Sequence, residues 1–343
     1  MRTTNRHVRR RGKGVGVLRF VLRRLFWAVP ITILVTFLVY VALRLGTDPL
    51  ASYLRINQRA SDKKIQQYIE TNGLYEGFGG YIRGYFQWLG GFLTGEWPRS
   101  IKGSREVWPE FKDAMFNTLR LGLTASFIGI TIGLGLGIFV ALKPGSLRDS
   151  TVNTGAFVAV STPPYVSALL LQLVFAVYWS RWFGNTLFPT SGVYPPGNQG
   201  FDLPLMLKHM VLPVTVVVIQ VVAVYARYMR ASLLEVLNSE YMRTARAKGI
   251  SERRVLVRHA LRNALIPIVT VAAIDIGAIL GGLIITENIF SYPGLGMFFL
   301  DAYGNGDFPQ MMPWMAFFTV TVILFNLLAD VSYAWLDPRI RLD

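Results

Sequence analysis

EYMRTARAKGISERRVLVRHALRNALIPIVT, residues 240–270, is a polar, basic helical hairpin set between long apolar stretches. Asn238 and Ser239 can cap a helix, Glu240 suits its first turn, and Tyr241 to Lys248 contains good helix formers. Gly249 stops that helix. Ser251 can cap a second one through Val255, Leu256, His259, Ala260 and Arg262, until Pro267 falls in the first turns of the next apolar run. The reading is two short helices meeting at Gly249. The basic residues at 243, 246, 248, 253, 254, 258 and 262 resist burial, so most are expected to reach water, lipid phosphates or an acidic partner surface. The regular capping pattern favours a docking element over an unstructured basic loop.

Outward from the hairpin, the 343-residue chain is 52% hydrophobic and 16% charged, and the hydrophobicity is clustered rather than periodic. A hydrocarbon core about 30 Å thick needs roughly 20 apolar residues per helix. Six segments reach that length: 25–45, 117–142, 153–180, 210–234, 265–287 and 312–336. The fold class is therefore an all-α membrane protein with six transmembrane helices. Its parts are a basic tail at 1–24, the first span at 25–45, an external insertion at 46–116, a five-helix core at 117–336 that includes the hairpin at 238–263, and a tail at 337–343.

The net charge of +15 would suit nucleic-acid binding, but its distribution points to a membrane. Arg2 to Arg24 holds nine Lys/Arg and no acid, and Arg227 to Arg262 holds nine more against Glu235, Glu240 and Glu252. With Lys143, Arg148, Arg339 and Arg341, one face carries 22 of the 35 basic residues, and the positive-inside rule assigns it to the cytoplasm. Both termini are expected there. The segment Gly46 to Phe116 balances nine Lys/Arg with eight Asp/Glu. No nucleic-acid partner is expected.

The basic start and first apolar run resemble a signal peptide, yet the run is long and VALRLGTDP offers no A-x-A cleavage pattern, so it reads as an uncleaved anchor. Zero cysteines exclude disulfides, cysteine-ligated metals and thiol catalysis. His7, His209 and His259 lie in separate segments, and no metal site is expected.

The insertion joins a helix-like stretch, Ser61 to Asn72, to glycine and tryptophan. Tyr75, Tyr81, Tyr85, Trp88, Trp97 and Trp108 could stack on a ligand, but anchoring at lipid headgroups is the favoured reading. Arg181 to Lys208 is expected to be ordered by turns, given Pro189, Pro195, Pro196 and Pro204. TENIFSYPGLG, 286–296, followed by DAYGNGDFP suggests a re-entrant or surface-lying hairpin.

Gly129, Gly133, Gly135 and Gly137 mimic a dinucleotide loop but follow no strand; close helix packing is the better reading, as for Gly277, Gly281 and Gly282. Pro163 and Pro164 in STPPYV should kink or interrupt the third span, a candidate gating device. Intramembrane polar groups are costly in hydrocarbon, which makes Asp275, Glu287, Asn326, Gln172 and Gln220 substrate-path candidates. Asp330 belongs to the same set. For each, a structural hydrogen bond between helices is the competing explanation.

RTARAKG-x9-HALRNALIP, 243–267, resembles the cytoplasmic loop of binding-protein-dependent ABC importer permeases, in the peptide and nickel branch. Most other branches read E-A-A-x3-G-x9-I-x-L-P; here Arg243, Thr244 and Ala245 take the first three positions, and His259, Leu261 and Arg262 the later ones. LRLGTDP, STPPYV, TENIFSYPGLG and the terminal DVSYAWLDPRIRLD extend the likeness over nearly the whole chain.

The resemblance implies a type I importer permease for short peptides, with nickel complexes, glutathione and oligosaccharides as alternative cargoes. Arg243, Thr244, Ala245, Arg246, Lys248, Gly249, His259, Arg262, Asn263 and Pro267 would couple it to a cytoplasmic ATPase. ATP and Mg would be bound by that partner, because no G-x4-G-K-[ST] occurs in this chain. Implied partners are a second homologous permease, two ATPase subunits, an external binding protein and membrane lipid, in a bacterial inner membrane. The readings from other classes are an ion-driven carrier, which predicts inverted repeats that are not evident, and an intramembrane enzyme, which would need a nucleophile and base or metal ligands at membrane depth.

Overall fold

A computed structural model of the chain describes residues 5–102, 105–195, 197, 200–281 and 283–336. The tail 337–343, with Arg339 and Arg341, and Gly282 lie outside the described residues. The described secondary structure is helical, apart from one antiparallel bridge between Arg99 and Glu106. Among the described residues six helices are long and apolar enough to cross a bilayer: Val21–Thr47, Val107–Ala141, Pro164–Phe183, Leu203–Leu237, Glu252–Ile289 and Phe308–Ser332. This is an all-α, multi-pass membrane architecture. The described residues form two compact units, one drawn from within 5–26, 121–279 and 324–336, the other from within 27–120 and 280–323.

The second unit contains the insertion. Helix α1 (Asn5–Thr47) runs through Pro30 and ends at Asp48, whose carboxylate accepts the Ala51 N–H of α2 (Pro49–Ile56). Helix α3 (Asp62–Asn72) covers the helix-like stretch expected there, and Gly73 (φ 63°) turns the chain towards α4 (Gly77–Thr94). These helices surround Tyr40, Tyr68, Tyr85, Trp88, Ile101, Phe308 and Met311. Tyr85 donates to the Ile33 carbonyl (3.0 Å), and Tyr40 donates to the Gly73 carbonyl (3.1 Å). Tyr85 and Trp88 are thus buried core residues and not headgroup anchors. Each contributes roughly 2–3 kcal/mol of burial, and the edge-on ring pairs add to it.

Helix α5 (Val107–Ala141) passes into the first unit, which also contains α6 (Leu147–Ser161), α7 (Pro164–Gln172), a π-helical turn (Leu173–Tyr178) and α8 (Trp179–Phe183). The described residues between 184 and 202 are bends, turns and irregular chain leading to α9 (Leu203–Leu237), so the part ordered by turns is shorter than the expected 181–208. The most apolar window of α9 is 61% buried, against 11–33% for the other five spans, so α9 is the central helix of its unit. Gly129, Gly133 and Gly137 recur every four residues and therefore share one face. A Cβ on Gly133 would lie 2.8 Å from Tyr225 Cβ, and one on Gly137 would lie 2.6 Å from the Ala226 carbonyl oxygen, so α5 and α9 touch through backbone. Gly135 points away and meets nothing within 4 Å. Gly277 leaves room for the Phe325 side chain, whose Cβ would lie 2.5 Å from a Cβ added there.

The third span differs from the segment 153–180 read from sequence. Pro163 and Pro164 lack the N–H groups a continuing helix needs, so α6 stops at Ser161 and the apolar crossing helix starts at Pro164. The remaining elements are α10 (Glu240–Ala247), α11 (Glu252–Arg254), a second π-helical turn (Val255–Ala260), α12 (Leu261–Gly281), α13 (Ile284–Ile289), α14 (Leu295–Asn305) and α15 (Phe308–Leu336). Helices α13 and α14 form the expected short hairpin, turned at Ser291 with φ 44°.

Asp149 ties α6 to α9. Its carboxylate accepts Arg230 Nε at 2.6 Å and Nη2 at 2.8 Å, the Gly145 N–H at 2.9 Å, and Asn153 Nδ2 at 2.6 Å. The Asp149 side chain is 4% exposed. The Arg230 hydrogen bonds, and after them the Gly145 N–H, lower its pKa from 3.8 to about 2. A folded pKa below the unfolded one gives stability that is fully present above pH ~4 and lost as pH falls towards 2, on the order of 2 kcal/mol. Thermal unfolding of the solubilised protein between pH 6 and 2 should show this loss, and Asp149→Asn should be less stable at pH 6 with a flatter slope. An unchanged slope in the variant would place the titration elsewhere.

Candidate functional site

The basic hairpin begins where Asn238 closes α9 and Ser239 adopts an extended conformation before α10. The Ser239 hydroxyl turns back to the Val236 carbonyl (2.6 Å), so the side-chain cap anticipated for α10 is not made. Met242, Val255 and Ala260 are fully buried, and α10 packs on the second π-helical turn. This apolar underside presents the opposite face to the surroundings. Arg243, Thr244, Arg246, Lys248 and Gly249 are exposed, and Ala245 is half-buried.

Gly249 has φ 73°, a left-handed conformation that favours glycine, and its N–H donates to the Arg246 carbonyl at 2.9 Å. Arg246 Nε reaches Glu252 Oε1 (3.0 Å) across this turn, while Arg243 pairs with Glu240 (2.8 Å) inside α10. Lys248, Arg253, Arg254, Arg258 and Arg262 form no ion pair among the described residues. The result is an exposed cationic surface on a helix held by three buried apolar side chains.

Beyond Gly249 the structure departs from two separate short helices. From Glu252 the chain runs without interruption through the π-helical turn into α12, and Pro267 lies inside this helix rather than at its start. His259 is half-buried in the π turn, and its carbonyl accepts Asn263 Nδ2 at 2.9 Å. Asn263 also donates to the Tyr241 hydroxyl (3.2 Å), joining the two arms of the hairpin. Arg262 and Pro267 are exposed. Ser232 of α9 donates to the Ala264 carbonyl (2.8 Å) and pins this region to the central helix. An extra residue in a helical turn leaves no mark in apolar spacing this short, so the π turn was not legible in the sequence.

The other candidates are scattered, and most are engaged in internal hydrogen bonds. Asp275 accepts from Tyr225, which is 2% exposed, at 2.9 Å. Gln172 donates to the Thr190 carbonyl at 3.2 Å. Gln220 donates to the Ala159 and Thr162 carbonyls, both at 2.9 Å. These lie where Pro163 and Pro164 interrupt the chain, so Gln220 supplies donors that the prolines lack. Glu287 is completely buried and accepts from Thr118 Oγ1 (2.6 Å), the Gly296 N–H (2.7 Å) and the Met297 N–H (3.2 Å). Asn326 is exposed on α15. Asp330 pairs with Arg24 at 3.1 Å.

Sequence reasoning missed Asp149, Thr118 and Tyr225, because their partners lie 81, 169 and 50 residues away. Among the described residues no three His, Cys, Asp or Glu side chains gather in a manner able to hold a metal.

The model of the binding-protein-dependent transport system inner membrane component family matches residues 133–342. The oligopeptide transport system permease protein AppB of Bacillus subtilis is 34% identical over 324 residues, 94% of this chain and 99% of the relative. The dipeptide transport system permease protein DppB of Escherichia coli K12 is 32% identical, covering 95% and 99% respectively. The di/tripeptide permease protein DppB of Pseudomonas aeruginosa is 34% identical with the same coverage. Among solved structures, an inward-facing form of the MetNI methionine ABC transporter aligns with TM-score 0.50 and 17% identity over 66% of this chain and 96% of that one, a likeness of fold alone. With the family match spanning its hairpin and last four spans, and relatives aligned over nearly its full length, the chain belongs to the inner membrane components of binding-protein-dependent transport systems.

Proposed function

We propose that the chain is the permease subunit of an ATP-driven importer of short peptides, and that residues 238–263 transmit force to it from a separate ATPase. The observation that carries this reading is the hairpin: a cationic face in the RTARAKG-x9-HALRNALIP pattern, exposed on a helix whose other face is buried. The peptide cargo is supported by relatives named as oligopeptide, dipeptide and di/tripeptide permeases.

In this reading, α10 sits in a cleft of the ATPase, with Arg243, Thr244, Ala245, Arg246 and Lys248 facing it. ATP and Mg stay with that partner. Gly249, His259, Arg262, Asn263 and Pro267 form the elbow through which its closure moves α12. A continuous helix from Glu252 supports that transmission, since a rigid rod passes displacement on with little loss. The break at Pro163 and Pro164, braced by Gln220, gives the neighbouring span a second jointed position. Six spans make half of a pathway, completed by a second permease and supplied by an external binding protein. The basic face, and with it both termini, is placed in the cytoplasm.

The test is uptake by proteoliposomes containing the full complex. Radiolabelled di- and tripeptides should accumulate only with ATP on the hairpin side and with the binding protein on the other. Uptake driven by an imposed ion gradient without ATP would overturn the reading.

A further inference from the structure

Helix α4 (Gly77–Thr94) is not one of the six spans, yet it carries an exposed apolar stripe that neither the spans nor the hairpin accounts for. Phe78, Ile82, Phe86 and Leu93 are exposed, and Leu89 is half-buried. At about 3.6 residues per turn all five fall within an arc of roughly 80°. The preceding helix α3 differs: its exposed residues, from Asp62 to Thr71, are all polar. One helix of the insertion presents a face suited to water, and the other does not.

The contacts of α4 set its depth. Leu25 to Leu43 carry no charge, and the 20 steps from Arg24 to Arg44 cover about 30 Å of helix, the thickness of a hydrocarbon core. Arg24 and Arg44 therefore mark its two boundaries, and Ile33 and Thr36 lie close to its middle. Tyr85 of α4 donates to the Ile33 carbonyl at 3.0 Å and lies 2.7 Å from the Thr36 hydroxyl. Gly84 allows this approach, since a Cβ there would collide with the Tyr40 hydroxyl and the Gly73 carbonyl. A tyrosine side chain is shorter than the roughly 15 Å from midplane to boundary, so the α4 backbone at Tyr85 is itself below the boundary.

Another edge of the helix reaches outward. Arg83 is the one charged residue of α4, and its guanidinium lies 4.4 Å from the centre of the Tyr75 ring, while Arg44 donates to the Tyr75 carbonyl. The Arg83 charge is thus held at the level of Arg44, as suits a cation at a membrane boundary. Gln87 accepts from the Tyr75 hydroxyl at 3.0 Å and donates to the Glu70 carbonyl at 2.6 Å. Around the helix the apolar stripe is closer to Tyr85 than to Arg83 or Gln87. A deep apolar edge and a shallow polar edge are the pattern of a helix lying in the bilayer interface.

We propose that α4 is embedded in the leaflet at the Arg44 end of the first span, with Phe78, Ile82, Phe86, Leu89 and Leu93 against lipid acyl chains and Arg83 at the headgroups. The depth of Tyr85 selects lipid over water or a soluble partner. The exposed side chains of the first span around that level, Ile31, Leu34 and Leu38, are apolar as well. Bulk selects lipid over another span, because close helix contact in this chain runs through Gly133 and Gly137 rather than through Phe and Leu. The insertion is then seated in the membrane and not wholly external.

Because the chain has no cysteine, a single introduced one reports alone on its gel band. In open membrane fragments containing the complete complex, Phe86→Cys and Leu93→Cys should react with a charged fluorescent maleimide at least tenfold more slowly than Gln66→Cys on α3. All three should react alike once denatured. Photoactivation of p-benzoylphenylalanine placed at Ile82 or Phe86 should attach radiolabelled phospholipid to the chain, and the same group at Gln66 should not. These positions are exposed, so the variants should melt with the wild type. Equal maleimide rates on the two helices would overturn the proposal by placing the stripe in water. Crosslinks from Ile82 and Phe86 to another subunit or to the binding protein, in place of phospholipid, would overturn it by giving the stripe a protein cover.

Discussion

Glu287→Ala should destabilise the protein by about 4 kcal/mol and sharply lower the amount recovered folded from the membrane. The carboxylate is 0% exposed and accepts three hydrogen bonds, from Thr118 Oγ1, the Gly296 N–H and the Met297 N–H. The last two belong to the first turn of α14, where N–H groups have no partner within the helix. Glu287, on α13, therefore caps α14 from outside, while Thr118 accepts the Leu295 N–H at 2.7 Å. Alanine would strand these donors and leave a void beside Gly294, where the carboxyl group now fills the space a Cβ would need. Glu287→Gln keeps the shape and one acceptor, and should cost less than half as much. Melting temperatures of purified alanine, glutamine and wild-type proteins check the order. An alanine variant that melts with the wild type would show that the three bonds contribute nothing net. While those bonds hold, the carboxylate has little left to offer a passing substrate.

That residue also shows where sequence reasoning works and where it stops. The spans were legible because a run of about 20 apolar residues is a local property tied to bilayer thickness, and five of the six observed spans enclose the expected segment to within a few residues. The stop at Gly249 and the break at Pro163 were legible for a similar reason, since the backbone chemistry of Gly and Pro acts where they stand. Whether Glu287 faced a pathway or a helix end depended on Thr118, 169 positions earlier, and no local pattern carries that pairing. Arg230 is a further instance. It belonged to a basic run and suggested a hydrated surface, yet Asp149, 81 residues away, accepts from its Nε and Nη2. Tyr85 and Trp88 had the composition of interfacial aromatics, but the insertion folds around them, and tertiary packing overrides that tendency.

Reversing the charges of Arg243 and Arg246 to Glu should reduce ATP-driven uptake at least tenfold and leave the protein's melting temperature nearly unchanged. The separation of the two effects follows from exposure. The Arg243 side chain is 69% exposed and pairs with a Glu240 that is 83% exposed, an arrangement contributing under about 1 kcal/mol. Arg246 and Glu252 lie at 41% and 73% exposure and add little more. The stability of the hairpin comes from Met242, Val255 and Ala260 beneath it, which the substitutions do not touch. Loss of uptake at constant stability therefore reports on docking, and ATP hydrolysis should no longer rise when peptide-loaded binding protein is added. Gly249 supplies the matched geometric test. Gly249→Ala meets nothing within 4 Å and incurs only the left-handed backbone strain, roughly 1–2 kcal/mol, so most uptake should survive. Gly249→Pro cannot reach φ 73° and loses the N–H bonded to Arg246, so the elbow itself should fail. If charge reversal left uptake and stimulated hydrolysis both at wild-type rates, the hairpin would be a solvated basic loop and the partner's force would enter elsewhere.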